Sequence, residues 1–562
     1  MTCSTVSICR RSRGMLAGSA LALALVGGAD EAAGQPSGTL TIAWPDVYSF
    51  VGMPSKNGGR QGERLVWLGV NETPLRITAD VETVPNLAES WTISDDGLVH
   101  TVKLREGVQF HGGWGEMTAE DWKWTADDQW QGQPLSNHGG QFIAATNLEA
   151  VNVVDKYTVE FVLKRPNAFF KEYYGTIRDD VALAIYSKNR VDQLGPEAAT
   201  TELPDGGTGP YQIESWTADT EIVLKAFPDY WGEQPAYETV RILQISEPST
   251  VLAALETGEV DAAKIPVTAR ERVEAAGLEV GSAGVGQARV TFTGTFCYTE
   301  FDGQQIPPRP GYDPSKPWVG DCDDEASMEN ARQVRHAMGM AIDRQALIDA
   351  IVGGHGRPTY VYMLLGYFAD RYMQPEWEVP YDPEKAKQIL ADAGYPDGFE
   401  FEFICETVGH TLLNEFCDAI AGMWSNIGLQ PQIRRLAPDA VRKMLVERQL
   451  NSVRLEVETG VTPIPEARGF GEVPTAAYNS GYEVPGLAEL VQQAALAAPG
   501  EELDEIRHQQ YQLVFDQAFQ APLVEFDELY AYNPEKIGAW PRTPWNGHAE
   551  EVMDFEQVKK PQ

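Results

Sequence analysis

The side chains with the clearest claim to chemistry are four cysteines in two neighbouring couples, Cys297/Cys322 and Cys405/Cys417; two more, Cys3 and Cys9, stand near the N-terminus. No spacing is Cys-x-x-Cys and no histidine cluster lies nearby, which argues against a zinc site. An even count in an oxidising compartment implies structural disulfides. Four cysteines allow three connectivities, of which local pairing is the simplest. Asp321, Asp323 and Asp324 flank Cys322 but lack the glycine and terminal glutamate of a calcium loop, so they read as a solvated acidic loop. Gly206 to Gly209 resembles a phosphate cradle only superficially, because it precedes a strand and no Lys-Ser/Thr follows. There is no G-x-S-x-G elbow, Walker A sequence or H-E-x-x-H. The eight histidines are scattered, and His111 reads as a turn residue. A secreted glycosidase would need two carboxylates across a cleft; the sequence holds many acids and singles out no pair.

Those acids dominate the composition. The 562 residues carry 82 Asp plus Glu against 44 Lys plus Arg, a formal net charge of −38. Such a chain lacks the basic stripe that displaces counterions from nucleic acid, and it is unsuited to an anionic membrane surface. With 10% aromatics it is nevertheless a folding chain, and its length implies roughly two to four domains. The first 34 residues read as a secretory signal peptide: Arg10, Arg11 and Arg13, then an apolar stretch from Met15 to Ala29 that is short for a membrane span. Arg10-Arg11 leaves the general secretory and twin-arginine routes both open. No later apolar run is long enough to span a bilayer, so the mature chain is expected to be soluble and periplasmic.

The remaining sequence must supply the elements that position any site. Thr39 to Trp44 alternates as a strand. Asp95-Asp96-Gly97 separates two strand runs, and Asp155-Lys156 separates another two. Thr118 and Asp121 form a reciprocal cap for a helix carrying Trp122, Trp124 and Trp130. Thr250 to Leu255 is a short helix stopped by Gly258. Asp343 caps a helix with Leu347, Ala350 and Ile351 inward. Asp382-Pro383 starts another, with Ala386, Ile389, Leu390 and Ala393 buried. Phe399, Phe401, Phe403 and Cys405 line one buried strand face, and Leu413, Cys417, Ile420 and Trp424 share one helix face. Cys405 and Cys417 can therefore meet.

Taken in order, the segments Leu87-Ala88-Glu89-Ser90-Trp91, Leu104 to His111, Met117 to Asp121, Gly207 to Tyr211, Tyr230-Trp231-Gly232, Leu255 to Asp261, Val334 to Ala337, Ala341 to Arg344 and Tyr381 to Ala386 resemble the family 5 extracellular solute-binding proteins of ABC importers. The resemblance covers nearly the whole mature chain. It implies an α/β fold, the two-lobed periplasmic-binding-protein clamp (type II, cluster C) with an extra domain. Lobe I would comprise 37–78, 206–290 and 515–562, domain II 79–205, and lobe III 291–514. It further implies a monomeric, non-enzymatic capture protein without cofactor or metal, which closes on a small organic solute or peptide and presents it to membrane permease subunits. A secreted hydrolase and a metal-chelate binder are the competing classes.

Peptide-binding members of that family often carry a Trp-x-x-Asp-Tyr stretch whose Asp pairs with the peptide amine. The comparable stretch here, Ser452 to Gly460, lacks it. Glu456 or Glu458 would hold a cationic group, or else be solvent-facing strand positions. The clamp also places Trp44 and Tyr48 after the first strand, Phe296 and Tyr298 at the crossing into lobe III, and Trp130 at the end of the domain II helix. All five are candidate cleft aromatics.

Overall fold

The structure, a computed structural model, describes residues 35–45, 69–77, 83–131, 148–171, 184–195, 197–198, 205–301, 303–362, 364–406, 412–459, 474, 480–497, 500–538, 540 and 558–561. The proposed leader and Tyr48 lie outside these residues. The chain enters on β1 (Thr39–Trp44). After a short antiparallel pairing of Leu75–Ile77 with Thr83–Pro85 comes the hairpin β2 (Ala88–Ile93) and β3 (Val99–Leu104). Its turn is held by Asp96, whose Oδ1 accepts from Ser94 Oγ at 2.6 Å and from Leu98 N at 3.1 Å. Helix α1 (Ala119–Gln131) starts as expected: Thr118 N and Oγ1 both donate to Asp121 Oδ2, at 2.9 and 2.8 Å. A second hairpin, β4 (Leu148–Asp155) and β5 (Thr158–Leu163), completes a four-stranded antiparallel sheet in the order β2-β3-β5-β4. It has its own core, which includes Val102, Trp122, Phe161 and Phe170.

The rest of the chain builds one larger sheet. Its strands are β1, β6 (Tyr211–Thr217), β7 (Glu221–Ala226), β8 (Thr239–Gln244), β9 (Ala262–Ile265) and the 14-residue β10 (Glu279–Phe292). Then come β11 (Gly356–Pro358), β12 (Glu400–Glu406), β13 (Gln430–Leu436), β14 (Val453–Thr459) and the 13-residue β15 (Gln520–Tyr532). The eleven strands run β13-β12-β14-β10-β15-β9-β1-β8-β7-β6, with β11 also on β15. The two longest strands, β10 and β15, are thus neighbours in the middle. β15 pairs with β11 at Val524 to Phe526 and with β9 at Leu529 to Tyr532.

Helices cover this sheet: α2 (Pro248–Thr257), α3 (Glu325–Met340), α4 (Arg344–Ile351), α5 (Pro383–Asp392), α6 (Leu413–Asn426) and α7 (Pro438–Val446). Asp324, Asp343 and Asp382 cap α3, α4 and α5 with their carboxylates, satisfying first-turn N–H groups. Gly258 ends α2 in the left-handed conformation, φ 72°. One continuous core joins α2 to α6 with Val290, Phe292, Phe403, Leu455, Leu523 and Phe526 of the central strands. Three details differ from expectation. In α5 only Ala386 and Leu390 are buried, and Ile389 and Ala393 are half-buried. In α4 it is Ile348, not Ala350, that is buried with Leu347 and Ile351, because position 350 has turned past the core-facing stripe. In β12 the second face is not open either: Ile404 is buried with Val441 and Leu445 of α7. Among the described residues no helix is long and apolar enough to cross a membrane.

Candidate functional site

The alternation of β10 and β14 decides which side chains can meet a solute. Ala288, Val290 and Phe292 point to the helix-covered core with Val453 and Leu455. The pleat therefore turns Gln287, Arg289, Thr291, Arg454 and Glu456 to the opposite face. The antiparallel register sets Arg289 beside Glu456 and Thr291 beside Arg454. These side chains would normally be a wet face, yet they are buried: Arg289 is 2% and Arg454 4% exposed, and Gln287 and Thr291 are fully enclosed. The Glu456 carboxylate is the hub. Its Oε1 meets Arg289 Nη2 at 3.3 Å and also Arg454 Nη2, while Thr291 Oγ1 donates to Oε2. The Arg289 guanidinium lies 4.6 Å from the centre of the Tyr362 ring. At the other end Gln287 Nε2 donates to Thr359 Oγ1 at 3.1 Å and to the Val361 carbonyl at 3.3 Å. Glu525, beside Gln287 on β15, meets Arg357 at 2.9 Å.

Glu456 is therefore not a solvent-facing strand position. A carboxylate out of water needs a partner, and it has two guanidiniums and a hydroxyl of its own chain. The other expected site residues have different surroundings. Trp44, 2% exposed, belongs to the buried cluster of β1, β6 and β8 with Tyr211, Tyr530 and Trp540. Phe296 is fully buried with the Arg448 guanidinium 4.6 Å above its ring. The backbone N–H groups of Cys297 and Tyr298 donate to Glu483 Oε2 at 2.6 and 2.9 Å, and Glu483 is itself paired with Arg448. Tyr298 is half-buried, its hydroxyl oxygen accepting from Gly486 N at 3.3 Å. Phe296 and Tyr298 thus belong to a polar knot that fixes the chain just after β10. The side chains of Trp130 and Glu458 lie outside the described residues. The cysteines meet as expected, with Cα–Cα separations of 5.4 Å for Cys297/Cys322 and 6.4 Å for Cys405/Cys417.

A second polar knot joins the glycine segment to residues 69–75. Gly207 packs so closely that a Cβ would come within 2.2 Å of the Val70 carbonyl oxygen, which explains the glycines without a phosphate. The buried Glu72 accepts from Thr208 Oγ1 and Tyr230 OH, both at 3.0 Å, and from Trp231 Nε1 at 2.8 Å. Burial nevertheless pushes its carboxyl up to about 7. His111 is more than a turn residue: it is buried in a short 3-10 turn, Nε2 2.8 Å from the Gly209 carbonyl, and burial pushes it down to about 4. Among the described residues no three His, Cys, Asp or Glu side chains are grouped to hold a metal ion.

Sequence reasoning missed Gln287, Arg289, Thr291, Arg454 and Tyr362. A signal was present: Gln287, Arg289, Thr291, Thr293 and Thr295 alternate with apolar neighbours, as do Arg454 and Glu456. Their burial was not visible in that pattern.

A strand-crossed α/β architecture with buried charge on its two longest strands is that of a solute-binding clamp. Solved structures bear this out at the level of fold. A periplasmic binding protein DppA from Helicobacter pylori, in complex with the peptide STSA, superposes with a TM-score of 0.74 at 21% identity, covering 94% of this chain and 99% of that one. AgaA from A. tumefaciens, in complex with agropinic acid, gives 0.75 at 19% identity, covering 93% and 99%. The family model for bacterial extracellular solute-binding proteins, family 5, matches residues 82–460, and the chain belongs to that family. Curated relatives include the glutathione-binding protein GsiB of Salmonella paratyphi A, 31% identical over 326 residues, which are 57% of this chain and 55% of that protein. Heme-binding protein A of Haemophilus influenzae is 28% identical over 381 residues, 63% and 61% of the two chains. The match to GsiB thus spans little more than half the length of that relative.

Proposed function

We propose that this protein is the substrate-binding component of an ABC importer, which captures a small organic solute between two lobes and delivers it to permease subunits in the membrane. One observation carries this most directly: the large sheet passes through its middle on two long strands, β10 and β15, and the buried polar row lies along β10, between Arg454 and Glu456 of β14 on one side and Glu525 of β15 on the other. A solute gripping that row also restrains the connection on which a clamp must bend, so binding shifts the open–closed population. Lobe I is assigned to 37–78, 206–290 and 515–562, domain II to 79–205 and lobe III to 291–514. Residues 1–34 act as a cleaved signal peptide, which sends the chain to the periplasm, where both cysteine pairs are oxidised and the protein works as a monomer. The named ligands of the relatives and neighbours include glutathione, peptides and agropinic acid as well as heme and the metal chelates Ni(L-His) and Fe(III)-EDTA, and a peptide-like solute suits a face lined with amide and guanidinium groups.

The test is a thermal-shift and calorimetric screen of peptides, glutathione, sugars and metal chelates on the purified mature chain. Binding at one site per molecule is expected. A ligand at about a hundred times its Kd adds about 2.7 kcal/mol of stability, and the radius of gyration falls on binding. Turnover of a peptide or glycoside, followed by mass spectrometry, would point instead to the hydrolase class.

A further inference from the structure

We propose that Phe169 is a latch between domain II and lobe III, seated on lobe III when the clamp is closed and withdrawn when it opens, so that it governs how long a solute stays bound without touching it. The inference deepens the clamp reading above and rests on it and on its lobe assignment.

The stretch after β5 builds the latch. Asn167 Oδ1 accepts from Phe169 N at 3.0 Å, and Phe170 N donates to the Asn167 carbonyl at 3.1 Å. This tight turn gives two neighbouring aromatics different destinations. Phe170 is fully buried in the core of domain II, its ring 4.7 Å from that of His100 and 5.5 Å from that of Phe161. Phe169 is not part of that core. It packs with Ala494 of helix α8 (Leu487–Leu496), with Ala497 at the end of that helix and with Leu503 of helix α9 (Glu501–Gln517), and is only 7% exposed. The Arg507 guanidinium of α9 lies 5.8 Å from the centre of its ring. Beside it, Ala168 N donates to the Ala495 carbonyl at 2.7 Å.

The two sides of this contact belong to different bodies. Domain II is held to lobe I: His111 N donates to the Gly207 carbonyl at 2.8 Å, and Ser187 N and Ile185 N donate to the carbonyls of Gly206 and Glu72, both at 3.1 Å. The Arg105 guanidinium adds a contact 4.6 Å from the Trp231 ring centre. The seat is held to lobe III: Asp504 of α9 accepts from Arg371 Nη2 at 2.6 Å and from Tyr372 OH at 2.5 Å, and Trp377 Nε1 donates to Gln512 Oε1 at 2.9 Å. When lobe III rotates on lobe I, the Phe169 contact must either break or serve as the pivot. Its position argues for breaking. The chain returns to the large sheet just after α9, at Gln520, and at 1.5 Å per residue Leu503 stands roughly 21 Å along α9 from Gln517. Its chemistry also suits release. An aromatic ring on small apolar side chains parts without stranding buried polar groups, whereas the bonds to lobe I do not. A contact made only in the closed form biases the closed population and slows escape of the solute, while entry proceeds through the open form.

The experiment reads the contact directly. Maleimide-linked spin labels are placed on Asn152→Cys of domain II and Glu502→Cys of lobe III, both exposed, and their separation is measured by double electron–electron resonance. The mature chain is studied alone and with trialanine, S-methylglutathione or maltose as probes. We expect the free chain to populate a separation longer than that of the structure described here, and a bound probe to select the short one. Phe169→Ala should raise the long population in the presence of that probe and release it about tenfold faster, with its association rate changed less than twofold. The melting temperature of the free chain should fall less than that of the complex. Leu503→Ala, on the other side of the contact, should act alike, and the double variant no more than the larger single one; should Phe169→Ala fail to fold, Leu503→Ala carries the test. A single short separation in the free chain that neither variant lengthens makes the contact a fixed part of the fold and overturns the latch. So does a variant that weakens the free chain as much as the complex and leaves probe release unchanged. A probe that binds with the separation fixed leaves the binding function standing without the latch. If no probe binds but the free chain populates the long separation, the latch stands and the choice of solute fails.

Discussion

Glu72 sits where a carboxyl group holds its proton unusually long. Its three donors favour the charged form, but full burial outweighs them and pushes it up to about 7 from 4.5. The native state therefore keeps a proton that the unfolded chain gives up. The stability this contributes is fully present below about 4.5 and is lost as pH rises through about 7. At 1.36 kcal/mol per unit the loss is about 3 kcal/mol. His100 and His111 work in the other direction: burial pushes both down to about 4, so they withdraw stability as pH falls from 6.5. A Glu72→Gln chain retains both histidines, so the difference in melting temperature between it and the parent isolates Glu72. From pH 5 to pH 8 the parent should lose stability relative to the variant. A difference that stays flat would mean Glu72 is ionised throughout. At this scale the sequence was least informative. Trp44 and Phe296 were rightly notable as large aromatics, but whether an aromatic is core or site depends on what covers it.

Elements were far more legible. The Thr118–Asp121 cap, the Asp343 and Asp382 caps and the two hairpins were all readable, because each depends on interactions within a few residues. β10 shows where that legibility stops. Period-two alternation announces two faces, and an arginine on one of them ordinarily marks the wet side. The enclosure of that face by segments distant in sequence, such as Thr359 to Tyr362, leaves no local trace. Glycines give a sharp test at this scale. In Gly207→Ala the new Cβ meets backbone oxygen at 2.2 Å, which cannot rotate away; the urea midpoint should fall by the equivalent of about 2 kcal/mol or more. Gly422 lies inside α6 with nothing within 4 Å of a Cβ. Gly422→Ala should raise stability by about 0.5–1 kcal/mol.

The whole molecule sets a diffuse negative field. The acids sit on caps, as Asp324, Asp343 and Asp382 do, and on exposed positions such as Glu400, Glu501 and Glu502. With a formal net charge of −38, an anionic solute approaching the protein is repelled at long range. Salt shortens the Debye length from about 30 Å at 0.01 M to about 8 Å at 0.15 M, which screens that repulsion. The association rate of an acidic solute, measured by stopped-flow fluorescence, should therefore rise over that range. A falling rate would mean that a local positive field outweighs the net charge even at a distance. One property of β10 reaches beyond energetics. The same strand alternately supplies core residues and a buried polar row, so inserting or deleting a single residue before Arg289 would turn Arg289 toward the core and Phe292 away from it. The polar row of β10 can therefore be altered only by exchanging side chains in place, whereas the loops around the sheet remain free to change length.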